Sequence, residues 1–388
     1  MRVLTLTHNY PRYKGDHSGS FIEELINALP RDKVKSIVLC PHAPGLPDRE
    51  ERKEILIYRF RYSNEEQETL AYKGKMLSSL ANPYRGLRLL SSFNASFIKA
   101  ARKIIIREEI DVLHAHWLIP GGLAARVALS GIKLPFFLSL HGTDVRLLRK
   151  LPAGGLLAGW VLSKVNLILP VSGYLGERLE RLTGRRINSY TLPMPASGMF
   201  LSSARRYLKR RLVAVGNLKK QKRFDVLIRA LGILKGKKLN LELIIVGDGP
   251  ERGKLETLAS SLGLAERIVF RGRIPHHHLP GVLFDAGVMV LPSVGEGFGI
   301  ALAEAQLAGL VAVGADAGGQ REIISDGKTG VLVEPEDPDA LAGAIRRLYN
   351  NEEKSLKIAR AGQLQARHRF LALPAAERLT HIYSSTVH

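Results

Sequence analysis

Two carboxylates, Glu296 and Glu304, stand eight positions apart around a short glycine loop. Glu304 falls in a run, 298–308, that is apolar except for itself and Gln306. A helix that is apolar all round packs inside a domain, and a carboxylate on it is costly unless paired or hydrogen-bonded. No basic residue stands nearby at helical spacing, so a ligand rich in hydroxyls would satisfy it. On one ideal helix the two acids would lie about 12 Å apart, too far for the paired acids of a glycosidase. Gly297 and Gly299 leave the helix start sterically open, with its N–H groups and positive dipole end turned toward an anion such as a phosphate. Hydroxyl-seeking carboxylates on either side of a phosphate-friendly helix start fit an extended ligand, a nucleotide-sugar. The plainer alternative is a buried helix whose Glu304 bonds a loop backbone.

Further candidates sit at the ends of apolar runs. Residues 110–115 read as a strand leading into His114, His116 and Trp117, and 135–140 as a strand ending at His141, Gly142, Thr143 and Asp144. Residues at strand C-termini line the ligand crevice of a parallel sheet. Alternation puts His114 and His116 on one face, as in a metal pair, but no third ligand has suitable local spacing. Packing, or contact of His116 or Trp117 with an acceptor, are the readings left. Thr143 or Asp144 could instead cap the helix that follows. His276, His277 and His278 look like a metal tract, yet consecutive side chains diverge, so a capping or surface role is expected. Asp337, Pro338 and Asp339 fit a helix start with Pro in its first turn, which leaves no acidic metal-holding pair.

The elements that must position these residues alternate. In the first half, strands are read at 2–7, 36–40, 55–60, 110–115, 135–140 and 166–172, with helices at 21–29, 93–106 and 173–182. The loop 8–20 holds Gly15, Ser18, Gly19 and Ser20 but neither the dinucleotide nor the Walker spacing, so a plain surface turn stays open. In the second half, strands at 211–215, 241–246, 268–270, 287–291, 310–313 and 330–333 alternate with helices, one of them opened by Pro250. A last helix is read at 373–387. Between 63 and 92 the pattern weakens: Tyr72, Lys73, Lys75, Met76, Leu77, Leu80, Tyr84, Arg85, Leu87, Arg88 and Leu89 suit either a membrane-surface segment or an excursion with a solvated basic face. The stretch 204–238 is the most basic, with Asp225 as its one acid. Within it the loop 216–222 opens a helix at 224–234, and a cation there could carry the charge that develops on a departing diphosphate.

Glu296, seven intervening residues and Glu304, preceded by Pro292-Ser293 and followed by Gly318-Gly319 and Asp326-Gly327-Lys328-Thr329-Gly330, resemble the retaining GT-B glycosyltransferases of family four. The match continues through Val246-Gly247-Asp248-Gly249-Pro250, Val215-Gly216-Asn217 and Lys222, and reaches His141-Gly142-Thr143-Asp144. The resemblance implies an α/β chain of GT-B type, two doubly wound Rossmann-like domains facing across a cleft. Residues 1–197 would bind the acceptor, 198–209 form a linker, 210–370 bind the donor, and 371–388 cross back as a helix. A proline-rich turn at Leu192-Pro193-Met194-Pro195 fits the crossing, though it lacks the family's Pro-Asn-Gly. The implied reaction moves a hexosyl group from a nucleoside-diphosphate sugar with retention, using no cofactor and no bound metal. His141 would lie beside the transferred sugar, with Lys222 and Glu296 completing the catalytic set. Gly19, Asn217, Gly297, Phe298, Gly299, Ile300 and Glu304 would join Lys222 along the donor, and His116 and Asp144 would meet the acceptor. Asn217 replaces an Arg usual in the family, so Lys222 carries the leaving-group role, with Lys219, Lys220 or Arg223 as compensators.

The 388 residues, 45% hydrophobic and 24% charged, suffice for two domains. The formal charge of +21 points to an anionic partner: a phosphorylated substrate, a membrane surface or nucleic acid. The basic stretch holds only Tyr207 and Phe224 as aromatics and no nucleic-acid module, so nucleic acid is not an expected partner. A single cysteine, Cys40, excludes an intrachain disulfide and a cysteine-based zinc cluster. The first apolar run is too short for a signal-peptide core, and the window 156–174 is broken by Ser163, Lys164, Asn166 and Pro170. These features fit a cytoplasmic protein, with peripheral contact at the inner face of the membrane open. The expected partners are a nucleotide-sugar donor and a glycan, lipid-linked or small-molecule acceptor, in cell-envelope or polysaccharide biosynthesis. A nucleotide-sugar epimerase on the same fold is the rival enzyme.

Overall fold

The computed structural model describes residues 1–16, 18–72, 83–203 and 209–387. Lys73, Lys75, Met76, Leu77 and Leu80 of the membrane-segment reading, the side chains of Tyr84 and Arg85, and Arg205, Arg206 and Tyr207 of the basic stretch lie outside the described residues. The chain forms two compact units, Met1–Pro193 with Leu373–His388, and Met194–Ala372.

The first unit is built on β1 (Arg2–Leu6), β2 (Lys35–Pro41), β3 (Arg49–Arg52), β4 (Ile55–Phe60), β5 (Val112–His116), β6 (Phe136–Leu140) and β7 (Leu167–Pro170). They run in the order β3-β4-β2-β1-β5-β6-β7, all parallel except β3 against β4. Strands β5 and β6 are buried at every position, as parallel strands covered on both faces must be. Strand β3 was not foreseen because it is entirely charged. It survives at the sheet edge, where Arg52 pairs with Glu23 and Glu50, and charge there discourages pairing with another chain. The helix Pro83–Arg107 begins ten residues before the predicted start at 93.

The second unit is built on β8 (Arg211–Val215), β9 (Glu242–Val246), β10 (Ile268–Gly272), β11 (Val288–Leu291), β12 (Val311–Ala315) and β13 (Val331–Val333). All are parallel, in the order β10-β9-β8-β11-β12-β13. The predicted start at Pro338 holds, with Asp337 accepting from the Ala340 N–H at 2.9 Å as an N-cap. Pro250 does not open a helix: it lies in the turn before Arg252–Ser261. Among the described residues no helix is long and apolar enough to cross a membrane.

The last helix, Ala372–Val387, belongs to the first unit from Leu373 onward. Its Ala375, Ala376, Leu379 and Tyr383 join Val3, Val112, Phe137 and Leu169 in one apolar cluster. Inside this cluster the Tyr383 hydroxyl lies 2.6 Å from Nδ1 of His114, and the Ser139 hydroxyl 2.8 Å from its Nε2. A neutral imidazole has one donor and one acceptor nitrogen, and here both are taken, so His114 and His116 do not form the metal pair their spacing allowed. Burial pushes the His114 pKa down to about 3.

The unfolded chain takes up that proton first, near the ordinary value of 6.5, so this contribution to stability is full above pH 6.5 and is lost as pH falls toward about 3. By about pH 5 the loss from His114 alone should be about 2 kcal/mol. Thermal melts at pH 7 and 5 should therefore separate more for the wild type than for His114→Gln. An equal separation would mean that His114 is not the group excluding the proton.

Candidate active site

In an open parallel sheet, ligands bind beyond the strand C-termini where the chain order reverses. In the second sheet that point lies between β8 and β11. The loops leaving these two strands are tied together, the Val294 N–H donating to the Gln221 carbonyl at 3.0 Å. Beside that bond, Lys222 Nζ lies 2.6 Å from Glu296 Oε2, which also accepts from the Ser293 hydroxyl at 3.2 Å. Both partners are partly buried. The loop after β12 braces the same segment: the Gly319 N–H donates to the Glu296 carbonyl at 3.0 Å, and Gln320 Nε2 to the Ser293 carbonyl at 2.7 Å. A Cβ on Gly319 would stand 2.4 Å from the Gly297 oxygen, which explains why the motif needs glycine there.

The helix that follows runs Ile300–Leu307, shorter than the predicted 298–308, with Gly299 at φ 99° as its N-cap. Glu304 is buried on it, 4% exposed, but it is not the orphan the sequence suggested. His276 Nε2 lies 2.8 Å from Glu304 Oε1. The partner comes from 28 positions upstream, beyond any helical spacing, which is why it was missed. Phe298, expected on the donor, is buried and meets Phe370 edge-on at 5.7 Å, so its side chain belongs to the core. Ile300 is partly buried at the helix start, and Asn217 is exposed on the loop after β8. Of the proposed compensators, Arg223 is paired with Asp225 and Glu336. Lys219 and Lys220 are exposed and, with Arg229 and Lys254, line a cavity of about 270 Å³ that Lys222 does not reach.

In the first sheet the chain order reverses between β1 and β5. His8 follows β1, His116 ends β5 and His141 follows β6. His116 Nδ1 lies 3.0 Å from His141 Nε2, with the rings stacked at 5.3 Å. Trp117, buried at φ 62°, packs against both His8 and His141 at 4.4 Å, and Phe21 meets His141 at 5.0 Å. Burial lowers the pKa of His8 to about 4 and of His141 to about 3. Burial first, then the neighbouring histidines, holds His116 well below its ordinary value. These rings are neutral near pH 7, each with one donor and one acceptor nitrogen and no charge. The Nδ1 atoms of His8 and His141 are buried without a hydrogen-bond partner among the described residues.

Two expectations change here. Asp144 does not face outward: it is 3% exposed, with Oδ1 accepting from the Gly142 and Val145 N–H groups and Oδ2 from Leu118 N–H, each at 3.0 Å. Burial pushes its pKa up and these donors pull it back. Its work is to join the β5 and β6 loops and so place His141. His116 likewise is 3% exposed and bonds His141. Gly19, at φ 71°, crosses so close to Asn9 that a Cβ would stand 2.0 Å from the Asn9 oxygen. His8 was not singled out from the sequence; its place two residues beyond β1, a strand that borders the reversal, was the available signal.

The model of the family Glycosyl transferases group 1 matches residues 203–365, and that of Glycosyltransferase Family 4 matches residues 18–193. An uncharacterized glycosyltransferase of Methanocaldococcus jannaschii is 26% identical over 314 residues, covering 80% of this chain and 85% of that protein. The putative teichuronic acid biosynthesis glycosyltransferase TuaC of Bacillus subtilis is 27% identical over 387 residues, covering 91% of this chain and 90% of that protein. Anabaena HepE, solved in complex with UDP, superposes with a TM-score of 0.72 at 19% identity, covering 99% of this chain and all of that one, a likeness of fold. With two doubly wound α/β units of GT-B type and both family models matched, this chain belongs to the group 1 glycosyltransferases.

Proposed function

We propose that this glycosyltransferase moves a hexosyl group, with retention and without a metal, from a nucleoside-diphosphate sugar to a glycan or lipid-linked acceptor. The observation that carries this reading is the Lys222–Glu296 pair, 2.6 Å apart at the chain reversal of the second sheet. Glu296 holds the ammonium in a partly buried place, where a cation stabilises the diphosphate charge that grows as the bond to the sugar breaks. The start of the helix Ile300–Leu307 adds its dipole. Glu304 takes the ribose hydroxyls. In the first unit, neutral His141 holds a hydroxyl of the transferred sugar. Asp144 is engaged by backbone N–H groups, so a covalent glycosyl-aspartate there is not part of the proposal. The UDP bound by HepE supports the donor class, and the name of the Bacillus relative supports a cell-envelope polysaccharide as the product.

Parallel calorimetry with UDP, GDP and ADP, followed by hydrolysis and transfer assays with the matching sugar donor, tests the reading. Failure to bind any of the three, or conversion of the donor to its epimer with no transfer, defeats it. The charge of +21 extends the proposal to an acceptor presented at an anionic membrane. Leu87 is exposed and Leu89 partly so on the helix Pro83–Arg107. Sedimentation with anionic but not neutral vesicles, weakening with salt, is the expected result; protein left in the supernatant at low salt removes the extension.

Lys222→Ala should lower turnover on the order of 100-fold or more while weakening donor binding much less, as for a group acting mainly in the transition state. Arg223 is already paired, so little compensation is expected, and Asn217→Arg should recover part of the loss. Equal losses in both quantities would contradict the leaving-group role. Glu304→Ala should weaken nucleoside diphosphate binding by roughly 1.5–3 kcal/mol, the scale of charge-assisted hydrogen bonds. Parent-like affinity in that variant would remove Glu304 from the ribose.

A further inference from the structure

The pairing of Glu304 with a histidine rather than with an arginine or lysine has a consequence for ligand binding. The helix is buried from Leu302 to Leu307, and the Glu304 side chain is 6% exposed, so its charge needs a partner inside the protein. Its one ion pair among the described residues is with His276, through Oε1 alone. No described hydrogen bond reaches Oε2. An arginine fork would occupy both carboxylate oxygens, whereas one imidazole nitrogen offers one donor. The carboxylate is thus fixed yet keeps acceptor sites open, as recognition of a vicinal diol requires.

His276 is itself held in place. It opens the short turn His276–His278 directly after Pro275 and is 23% exposed at its side chain. The fully buried Phe200 meets its ring edge-on at 5.1 Å. Packing sets the imidazole, and the imidazole sets the carboxylate.

We propose that His276 is a positioning residue that orients Glu304 toward the ribose diol of the donor nucleotide, and thereby sets a preference for ribonucleoside over deoxyribonucleoside diphosphates. The inference rests on the reading of Glu304 as the ribose ligand. His276 touches Glu304 and not the reacting atoms, so its loss should change which nucleotide is preferred more than it changes the chemical step.

The test is calorimetric binding of UDP and 2′-deoxy-UDP, or of the guanosine or adenosine pair if that base is the one bound, to the full chain. The wild type should favour the ribonucleotide by roughly tenfold or more, the scale of a hydrogen bond to a charged group. His276→Phe keeps a ring in the Phe200 contact but removes the donor. It should lose most of that preference by weakening ribonucleotide binding, with deoxynucleotide binding unchanged. His276→Gln, whose amide can stand in for Nε2, should keep the preference, and His276→Asn, which is one methylene shorter, should lose it. The Gln and Asn pair decides the matter if the Phe variant fails to fold, as judged by its melting curve. An unchanged preference in folded His276→Phe, an equal loss for both nucleotides, or a folded His276→Gln that behaves like His276→Asn overturns the proposal. Wild type and Glu304→Gln that both bind the two nucleotides alike would instead overturn the ribose reading itself, and the inference with it.

Discussion

Polar groups buried near the ends of parallel strands must find partners, because a carboxylate or imidazole left unpaired out of contact with water is costly. The candidate residues obey this constraint one by one. Glu296 is paired with Lys222, Glu304 with His276, His116 with His141, and His114 with Ser139 and Tyr383. Asp144 is spent on three backbone N–H groups. Each partner fixes a rotamer, so the same bonds that make burial tolerable also pre-organise the groups for a ligand. The exceptions are then informative: Nδ1 of His8 and of His141 are buried and, among the described residues, unpartnered at one end of the first sheet.

The two units divide the chemistry. In the first, burial strips the histidines of their protons, leaving neutral rings packed by Trp117 and Phe21, an environment suited to hydroxyls. In the second, a lysine is held by a carboxylate, and the proposed leaving-group role rests on that cation. The same topology underlies both, since each set gathers where the strand order reverses on either side of the first strand of its sheet. Glycines act here by absence of a side chain: Gly19 and Gly319 let neighbouring loops cross at distances no Cβ would permit.

Much of this was legible in the residues themselves. Charge-free runs such as 287–291 and 310–313 identified interior strands, since only a strand covered on both faces can omit polar positions. The spacing of Glu296, Glu304, Lys222 and the glycine pair carried the family. Strand β3 was hidden because it has no apolar residue, and its pairing depends on an edge supplied by β4. The early start of the helix Pro83–Arg107 was hidden because its first turns lack a regular apolar period.

The sequence by itself determined the α/β alternation, the two sheets and the identity of the polar residues near each strand end, because periodicity and local spacing are properties of a short window. Only the tertiary structure decided their partners, because partners meet across long separations. His276 reaches Glu304 across 28 positions, Lys222 reaches Glu296 across 74, and Tyr383 reaches His114 across 269. The same contacts moved Asp144 and Phe298 out of the ligand-facing set, since burial and backbone bonding depend on neighbours that no local window contains.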